Sequence, residues 1–222
     1  MSGAAGSSQW MYASGYEAEN SLKFNDDDAS YLARTPSTAG NRKTFTFSAW
    51  VKRSNISVQQ TLMSVNSGSD NSTQLFIYLD SDDEIKISFN NFTLTTTPLL
   101  RDISTWYHIM FVADTTQAAE ANRFKIYVNG DQLTLGSSGT FISQNTDLAF
   151  CQAAEHNIGR RASDGDRYFD GYLAEVNFID GTALTPSSFI STGTHGKILP
   201  KEYGGSFGTT GFYLPFKMDY EV

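Results

Sequence analysis

Residues 44–52 read Thr-Phe-Thr-Phe-Ser-Ala-Trp-Val-Lys, and their strict alternation predicts a β-strand. Phe45, Phe47, Ala49 and Val51 would point to one side of this strand, while hydroxyls, a Trp and a Lys alternate with them on the other. Successive side chains of a strand point to opposite faces of the sheet. The segment therefore predicts a half-buried strand whose Phe-rich side belongs to a hydrophobic core.

Strand-like segments recur on both sides of this stretch. They are Gln74–Asp80, Glu84–Asn90, Trp106–Ala113, Arg123–Asn129, Tyr168–Ile179 and Phe212–Phe216. The dipeptide Asn129-Gly130 is a strong signal for a tight hairpin turn, after which residues 132–135 would return antiparallel. Residues 106–113 are apolar on both faces, which predicts a central strand covered on both sides.

Helical patterns are scarce in the sequence. The best candidate is a turn at residues 185–189, where Thr185 suits a capping position and Pro186 the first helical position. Many short strands with turn residues between them indicate an all-β fold with very little helix, an antiparallel β-sandwich of the jelly-roll type. A chain of 222 residues accommodates such a sandwich as one domain.

Charge and cysteine content exclude several classes of protein. The 24 acidic and 16 basic residues give a net charge of −8, and no cluster of Lys and Arg is present to neutralise phosphates, so we expect no nucleic-acid partner. The single cysteine, Cys151, has no intrachain disulfide partner. No apolar run suits membrane insertion, and residues 1–18 lack the pattern of a signal peptide, so we expect synthesis in a cytoplasm.

Four segments, in order, resemble the strands of laminin G-like and pentraxin-like domains. They are Thr44–Lys52, Trp106–Ile109, Phe124–Gly130 and the region from Asn157 to Pro186 that contains Phe169-Asp-Gly-Tyr-Leu-Ala-Glu-Val. The resemblance covers residues 21–189 and implies the concanavalin A-like jelly roll. Because this fold hosts lectins, glucanases and adhesion modules alike, it does not by itself decide the function.

A narrower resemblance concerns residues 31–50, 169–186 and 200–214, which look like segments of structural proteins from marine and cyanobacterial phages. It implies a bacteriophage virion structural protein on the particle surface, a capsid decoration or cement protein or a head fibre, which acts by non-covalent binding. The partners it implies are capsid or other virion proteins. Viral surface proteins usually assemble with closed symmetry, so we expect a homo-oligomer, with a trimer as one form.

Two alternatives remain open at this point. One is a tail-fibre or free adhesin that binds cell-surface carbohydrate. The other is a glycoside hydrolase, whose relatives on this fold carry an E-x-D-x-x-E motif on one strand face. The nearest stretch here, residues 175–180, has Asn177 where the middle acid should be, so we expect no enzyme and assign no catalytic residue.

Residues 160–170 hold the candidate carbohydrate-binding residues. Loops on a rigid sandwich are where binding side chains concentrate. Sugar sites on such folds combine exposed aromatic rings with polar groups, and this stretch supplies both. The candidates are Arg160, Arg161, Asp164, Asp166 and Tyr168. The simpler reading is that the arginines pair with neighbouring acids on the surface.

An acidic turn, Asp80-Ser-Asp82-Asp83-Glu84, is a candidate calcium site. Calcium takes six to eight oxygen ligands on flexible loops, and related proteins hold it at loop ends. Asp80, Asp82 and Asp83 would supply the carboxylates, although acids in hairpin turns are more often simply solvated. We expect no other cofactor.

Composition divides the chain into three parts. Residues 1–20 are predicted to form an arm, residues 21–192 the jelly-roll sandwich, and residues 193–222 a C-terminal extension whose last strand packs on the same domain. The arm is small and polar except for Trp10, Tyr12 and Tyr16. Because plain linkers rarely carry aromatic residues, we expect these three to dock on a partner subunit.

Overall fold

The computed structural model describes residues 16–66, 74–89 and 92–217, and in these ranges two antiparallel sheets form a sandwich. The first sheet has the order β1-β13-β3-β8-β9-β10, and β16 pairs with a separate part of β13. Its strands are β1 (Leu22–Phe24), β3 (Thr44–Arg53), β8 (Tyr107–Asp114), β9 (Phe124–Val128), β10 (Asp131–Gln132), β13 (Gly171–Asp180) and β16 (Phe212–Leu214).

The second sheet has the order β11-β7-β6-β5-β4-β12-β2. Its strands are β2 (Leu32–Arg34), β4 (Gln60–Asn66), β5 (Gln74–Leu79), β6 (Ile85–Phe89), β7 (Phe92–Thr95), β11 (Gly136–Gly139) and β12 (His156–Ile158). A separate two-stranded ribbon joins β14 (Ile190–Thr192) to β15 (Ile198–Pro200).

The core lies between the two sheets, as the alternation of residues 44–52 predicts. Phe45, Phe47, Ala49 and Val51 are fully buried in one cluster with side chains of the second sheet. The prediction of a half-buried strand is wrong, however, because Thr46 and Ser48 on the opposite face are also buried. A later part of the chain covers that face.

The covering segment is the C-terminal tail. Phe189 packs on the outer face of the first sheet in a second apolar cluster with Met110, Val112, Tyr127 and Ile179. The partly buried side chains that complete this cluster are Leu184, Tyr203 and Phe207. We call the outer face of the first sheet under residues 184–207 the tail-covered face. This cover explains why β8 is apolar on both sides. The position of β8 between β3 and β9 confirms the prediction of a central strand covered on both sides.

The tail is tied to the sandwich through Asp180 at the end of β13. Its buried carboxylate accepts hydrogen bonds from the backbone N–H of Asn41 at 2.7 Å and from the backbone N–H and hydroxyl of Thr210 at 2.9 and 3.1 Å. Gly208 lies so close that a Cβ there would come within 2.4 Å of the Asp180 carbonyl oxygen. The chain around Gly208 and Thr210 is therefore held against the end of β13.

Turns and helices follow local chemistry. Asn129 and Gly130 have φ values of 51° and 92°, as a tight hairpin turn requires, although the returning strand β10 is short. Within the described ranges the helices are single 3₁₀ turns, Glu120–Asn122, Pro186–Ser188 and Thr194–Gly196. In the same ranges no helix has the length and apolar character needed to span a bilayer.

Candidate functional site

A loop formed by residues 160–168 lies across the outer face of the second sheet. Ser64 of β4 fastens its beginning, because the Ser64 hydroxyl donates to the Arg160 carbonyl at 2.7 Å and accepts from the Ala162 N–H at 2.9 Å. Its end is fastened where the Thr61 N–H donates to the Arg167 carbonyl at 3.0 Å. We call the outer face of the second sheet under residues 160–168 the loop-covered face.

An aromatic platform forms where the loop begins and ends. The Arg160 guanidinium lies 3.7 Å from the centroid of the Tyr31 ring, and the ring of Tyr168 lies 6.4 Å from that of Tyr31. Tyr31 is 41% exposed although it is a large aromatic residue. The Arg160 guanidinium also donates to Glu155 at 3.2 Å and to Asn157 at 3.0 Å, which fixes the plane that it presents to the ring. We call Tyr31, Arg160 and Tyr168 the platform.

The platform has the chemistry of a shallow sugar site. A flat, exposed aromatic ring offers an apolar surface with little conformational entropy to lose on binding. The charged edge of a guanidinium stacked on such a ring keeps donors available for hydroxyl groups. Binding sites combine apolar surface with a few placed polar groups in this way.

The structure divides the other predicted residues between different roles. Arg161 forms an ion pair with Asp164, and its guanidinium lies 5.4 Å from the centroid of the Phe76 ring. Asp166 accepts a hydrogen bond from the backbone N–H of Arg167 at 2.7 Å. Arg160 and Tyr168 thus join the platform, whereas Arg161 and Asp164 make the surface ion pair that was the simpler alternative.

Tyr31 is the residue that sequence reasoning missed. It precedes β2, which pairs with β12, and β12 leads directly into Arg160. This pairing alone brings the ring under the guanidinium. No local signal at residue 31 marks it as a partner of a loop that begins far along the chain.

The predicted calcium ligands are engaged by cations. Lys86 donates to Asp80 at 2.6 Å and to Asp82 at 2.5 Å. Asp83 is fully buried with Arg53 at 3.0 Å and Arg101 at 2.8 Å. Burial would raise the pKa of Asp83, but the N–H of Ser57 and the two arginines outweigh burial and hold the pKa below its usual value.

These carboxylates do not fit a calcium ion as they stand. An ion between Asp80 and Asp82 would have to displace the Lys86 ammonium, and Asp83 faces the guanidinium of Arg53 rather than a loop surface. In the ranges that the structure describes, no three His, Cys, Asp or Glu side chains are grouped as a metal site requires. The calcium prediction gains no support from this geometry.

Of the predicted docking arm, Trp10 and Tyr12 lie outside the described residues, but Tyr16 does not. Its hydroxyl donates to the Glu175 carboxylate at 2.7 Å and lies 2.8 Å from the hydroxyl of Tyr213, which also reaches Glu175 at 2.7 Å. Burial, together with the bond to Glu175, raises the pKa of Tyr16 to about 12. Tyr16 therefore contacts its own sandwich in this structure.

The incomplete acid motif does not form a pair of facing carboxylates. Glu175 sits in a bulge of β13 with a φ of 50° and is held by the two phenols. Asp180 is held by backbone donors at Asn41 and Thr210. Between them, the Asn177 amide donates to the Glu175 carbonyl oxygen at 2.9 Å. Each acid has a structural partner, and the two-carboxylate arrangement of glycoside hydrolysis is not met at this strand.

A protein-family model described as the concanavalin A-like lectin/glucanases superfamily matches residues 8–188 of the chain. No curated protein sequence gives a significant match.

Several solved structures resemble the sandwich. A heptameric SAP-like pentraxin from Limulus polyphemus superposes with a TM-score of 0.52 at 16% identity, over 74% of this chain and 77% of the pentraxin. The CBM40 of the Ruminococcus gnavus IT-sialidase gives 0.51 at 12% identity, over 76% and 95% of the two chains. The NanB sialidase from Streptococcus pneumoniae gives 0.53 at 14% identity, over 79% of this chain and 29% of the sialidase. At such identities the likeness shows the fold alone.

Proposed function

Since the chain belongs to the concanavalin A-like lectin/glucanases superfamily, we propose that it is a non-enzymatic, lectin-like structural protein of a bacteriophage virion. It is displayed on the particle surface and binds carbohydrate there. The superfamily includes lectins, which supports a binding function. The platform of Tyr31, Arg160 and Tyr168 is the observation that carries the carbohydrate part.

The placement on a virion is supported by the three phage-like segments. Residues 31–50, 169–186 and 200–214 are distant in sequence, yet they meet at one place. Arg34 donates to the Thr210 carbonyl at 2.9 Å, and Asp180 joins the loop before β3 to the tail. The resemblance therefore concerns one structural unit rather than three unrelated sequence segments.

Glycan-array binding of the full chain tests the carbohydrate part. We expect the native protein to bind and Tyr31→Ala to bind about tenfold more weakly or not at all, which corresponds to about 1.4 kcal/mol. Tyr31→Phe is the matched control, since it keeps the ring under Arg160 and should keep most of the affinity. Equal binding by the native protein and Tyr31→Ala would remove the platform from the proposal.

Particle composition tests the virion part. Quantitative mass spectrometry of purified phage particles should find this protein at a fixed ratio to the major capsid protein. A ratio near one, or a simple fraction set by the lattice symmetry, supports a decoration protein, and a few copies per particle support a fibre. Absence from the particles would overturn the virion assignment and leave a free lectin.

A further inference from the structure

We propose that a cleft between β10 and β11 binds the N-terminal arm of a second copy of the chain, with Trp10 and Tyr12 as the aromatic anchors. The arm links neighbouring subunits of a homo-oligomer in this way. The contact concerns assembly, so it goes beyond the proposed function and does not depend on carbohydrate binding.

The cleft lies where both sheets end on the same side of the sandwich. β10 is the last strand of the first sheet and β11 the last strand of the second, and residues 133–135 pass from one to the other. The cavity at this place has a volume of about 580 Å³. Cavities of this size hold small organic ligands in other proteins. We call it the edge cleft.

The lining of the edge cleft suits an aromatic side chain that carries one polar group. Leu94 and Phe124 are buried at its base, the partly buried side chains of Leu135 and Phe141 lie above them, and exposed Glu120 and Ser137 complete the lining. An indole or phenol ring can cover the apolar base while its N–H or O–H donates to the carboxylate or the hydroxyl.

The arm supplies side chains of this kind. Trp10 and Tyr12 lie outside the described residues, but their spacing in the sequence is informative. Side chains two residues apart in an extended segment point to the same side. Both rings of an extended arm can therefore enter one cleft.

The strand beside the cleft is accessible to an extended chain. All four residues of β11, Gly136–Gly139, are exposed, and among the described strands β11 pairs with β7 alone. The open edge of a strand is a template for pairing with a further chain. The arm can thus pair with this edge while its aromatic side chains fill the cleft.

The place where the arm is anchored identifies the second copy as the source. Tyr16 contacts Glu175 of β13 and Tyr213 of β16, and β10 lies four strands from β13, about 19 Å away. Trp10 precedes Tyr16 by six residues, which span about 20 Å when fully extended. This span only equals the straight line through the sandwich, and the chain would have to pass round it. The cleft of a neighbour placed against the β13–β16 side is much nearer.

The contact joins two different surfaces of the subunit. Each copy carries its arm at the β13–β16 side and its edge cleft at the β10–β11 side. A head-to-tail contact of this type produces a closed ring when the rotation between subunits closes. The trimer expected from the sequence is one such ring.

Chemical cross-linking of two full-length variants tests the contact. Gln9→Cys and Ser137→Cys are purified separately, mixed and treated with a short bismaleimide, so that a link between positions 9 and 137 can only join two copies. Cys151, the single native cysteine, is fully buried and does not compete. We expect mass spectrometry to find linked peptides that contain positions 9 and 137.

Ser81→Cys is the matched control, because Ser81 is as open to solvent as Ser137 but lies in the turn between β5 and β6. It should give at least about tenfold less cross-link with Gln9→Cys. Equal yields with the two partners would overturn the assignment of the cleft. A link that forms within a chain carrying both Gln9→Cys and Ser137→Cys, but not in the mixture, would show that each arm fills its own cleft and would overturn the second copy.

Light scattering across a concentration series gives an independent measurement. Trp10→Ala should raise the dissociation constant of the oligomer about tenfold or more, as loss of an aromatic anchor does at interfaces. Trp10→Phe should retain most of the association, and glycan binding per subunit should be the same in all three proteins. A native protein that stays monomeric at every concentration would overturn the inference and leave the proposed function untouched.

Discussion

The two outer faces of the sandwich differ in the side chains that they carry, which are apolar on one face and largely polar or aromatic on the other. The tail-covered face buries Met110, Val112 and Ile179 under Phe189, and the cover is an apolar part of the same chain. The loop-covered face carries hydroxyls, tyrosine and arginine, and its cover touches it through hydrogen bonds to Ser64 and Thr61. One face is a second core, while the other is covered by a loop that is held through hydrogen bonds.

This difference separates stability from binding. Apolar area that is removed from water contributes roughly 25 cal/mol per Å² to the free energy of folding, so the tail-covered face should behave as part of the core. Polar and aromatic groups that are only partly buried contribute less to the free energy of folding, and they remain available to a ligand. Changes on the first face should therefore affect unfolding, and changes on the second should affect binding.

The largest expected effect comes from a pair of matched phenylalanines, one on each face. Phe189→Ala removes a side chain that is 2% exposed and should lower the free energy of unfolding by about 3–5 kcal/mol. Phe76→Ala on the loop-covered face, where the ring is only partly buried, should lower it by about 1 kcal/mol. Urea unfolding of both variants measures the difference, and equal losses would abolish the distinction between the faces.

A smaller loss is expected when the tail is detached from its anchor. Asp180→Asn replaces an acceptor that faces the Thr210 N–H and hydroxyl with an amide donor, and should lower the free energy of unfolding by about 2–3 kcal/mol. The matched control is Asp147→Asn, since Asp147 is exposed and lies 3.9 Å from Lys43. It should change stability by less than about 0.5 kcal/mol. Equal effects of the two variants would show that the tail is held by its apolar contacts alone.

Weakening the attachment of the loop should lower the free energy of unfolding by less still, but it should reduce glycan binding. Ser64→Ala removes the hydroxyl that bonds both Arg160 and Ala162, with an expected loss of about 1 kcal/mol. Hydrogen exchange should become faster in residues 160–168, while the strands of the first sheet remain protected. Glycan affinity should fall more than stability does. Unchanged exchange in the loop would contradict the role given to Ser64.

The smallest effect is expected on the stability at alkaline pH, and it concerns Tyr16. The pKa of Tyr16 is raised to about 12 from the usual 10, because of burial and the bond to Glu175. The folded protein therefore holds a proton that the unfolded chain releases, and this contribution is complete below pH 10 and is lost as pH rises toward 12. Unfolding measured between pH 9 and 12 should show a shallower decline in Tyr16→Phe. Identical slopes in the two proteins would refute the contact between Tyr16 and Glu175.

Local sequence patterns predict the strands and turns well because these depend on interactions between residues that are close in sequence. The alternation at residues 44–52 identifies the core side chains, and Asn129-Gly130 adopts the positive φ values that its turn requires. The error at Thr46 and Ser48 has a clear cause. Whether the second face of a strand is exposed depends on a cover from elsewhere in the chain, and that cover lies more than a hundred residues later.

The candidate site was predictable only in part for the same reason. The loop of residues 160–168 is recognisable from its arginines and tyrosine, and it supplies Arg160 and Tyr168 to the platform. Tyr31 enters only through the pairing of β2 with β12, which is a property of the sheet order. The acids at residues 80–83 show the same limit of local patterns, because the cations that pair with them include Arg53 of β3 and Lys86 of β6.

The place of β13 has a consequence for how the chain folds. It lies between β1 and β3 in the first sheet and pairs with residues 45–53, although it is made only at residues 171–180. During synthesis one edge of β3 remains unpaired until residues 171–180 have been made. The core between the two sheets cannot form completely before then. Contacts this distant in sequence are slow to form, on a timescale of about milliseconds to seconds. Folding should therefore be a late event, and a nascent chain stalled before residue 180 should be prone to aggregation and to degradation by proteases.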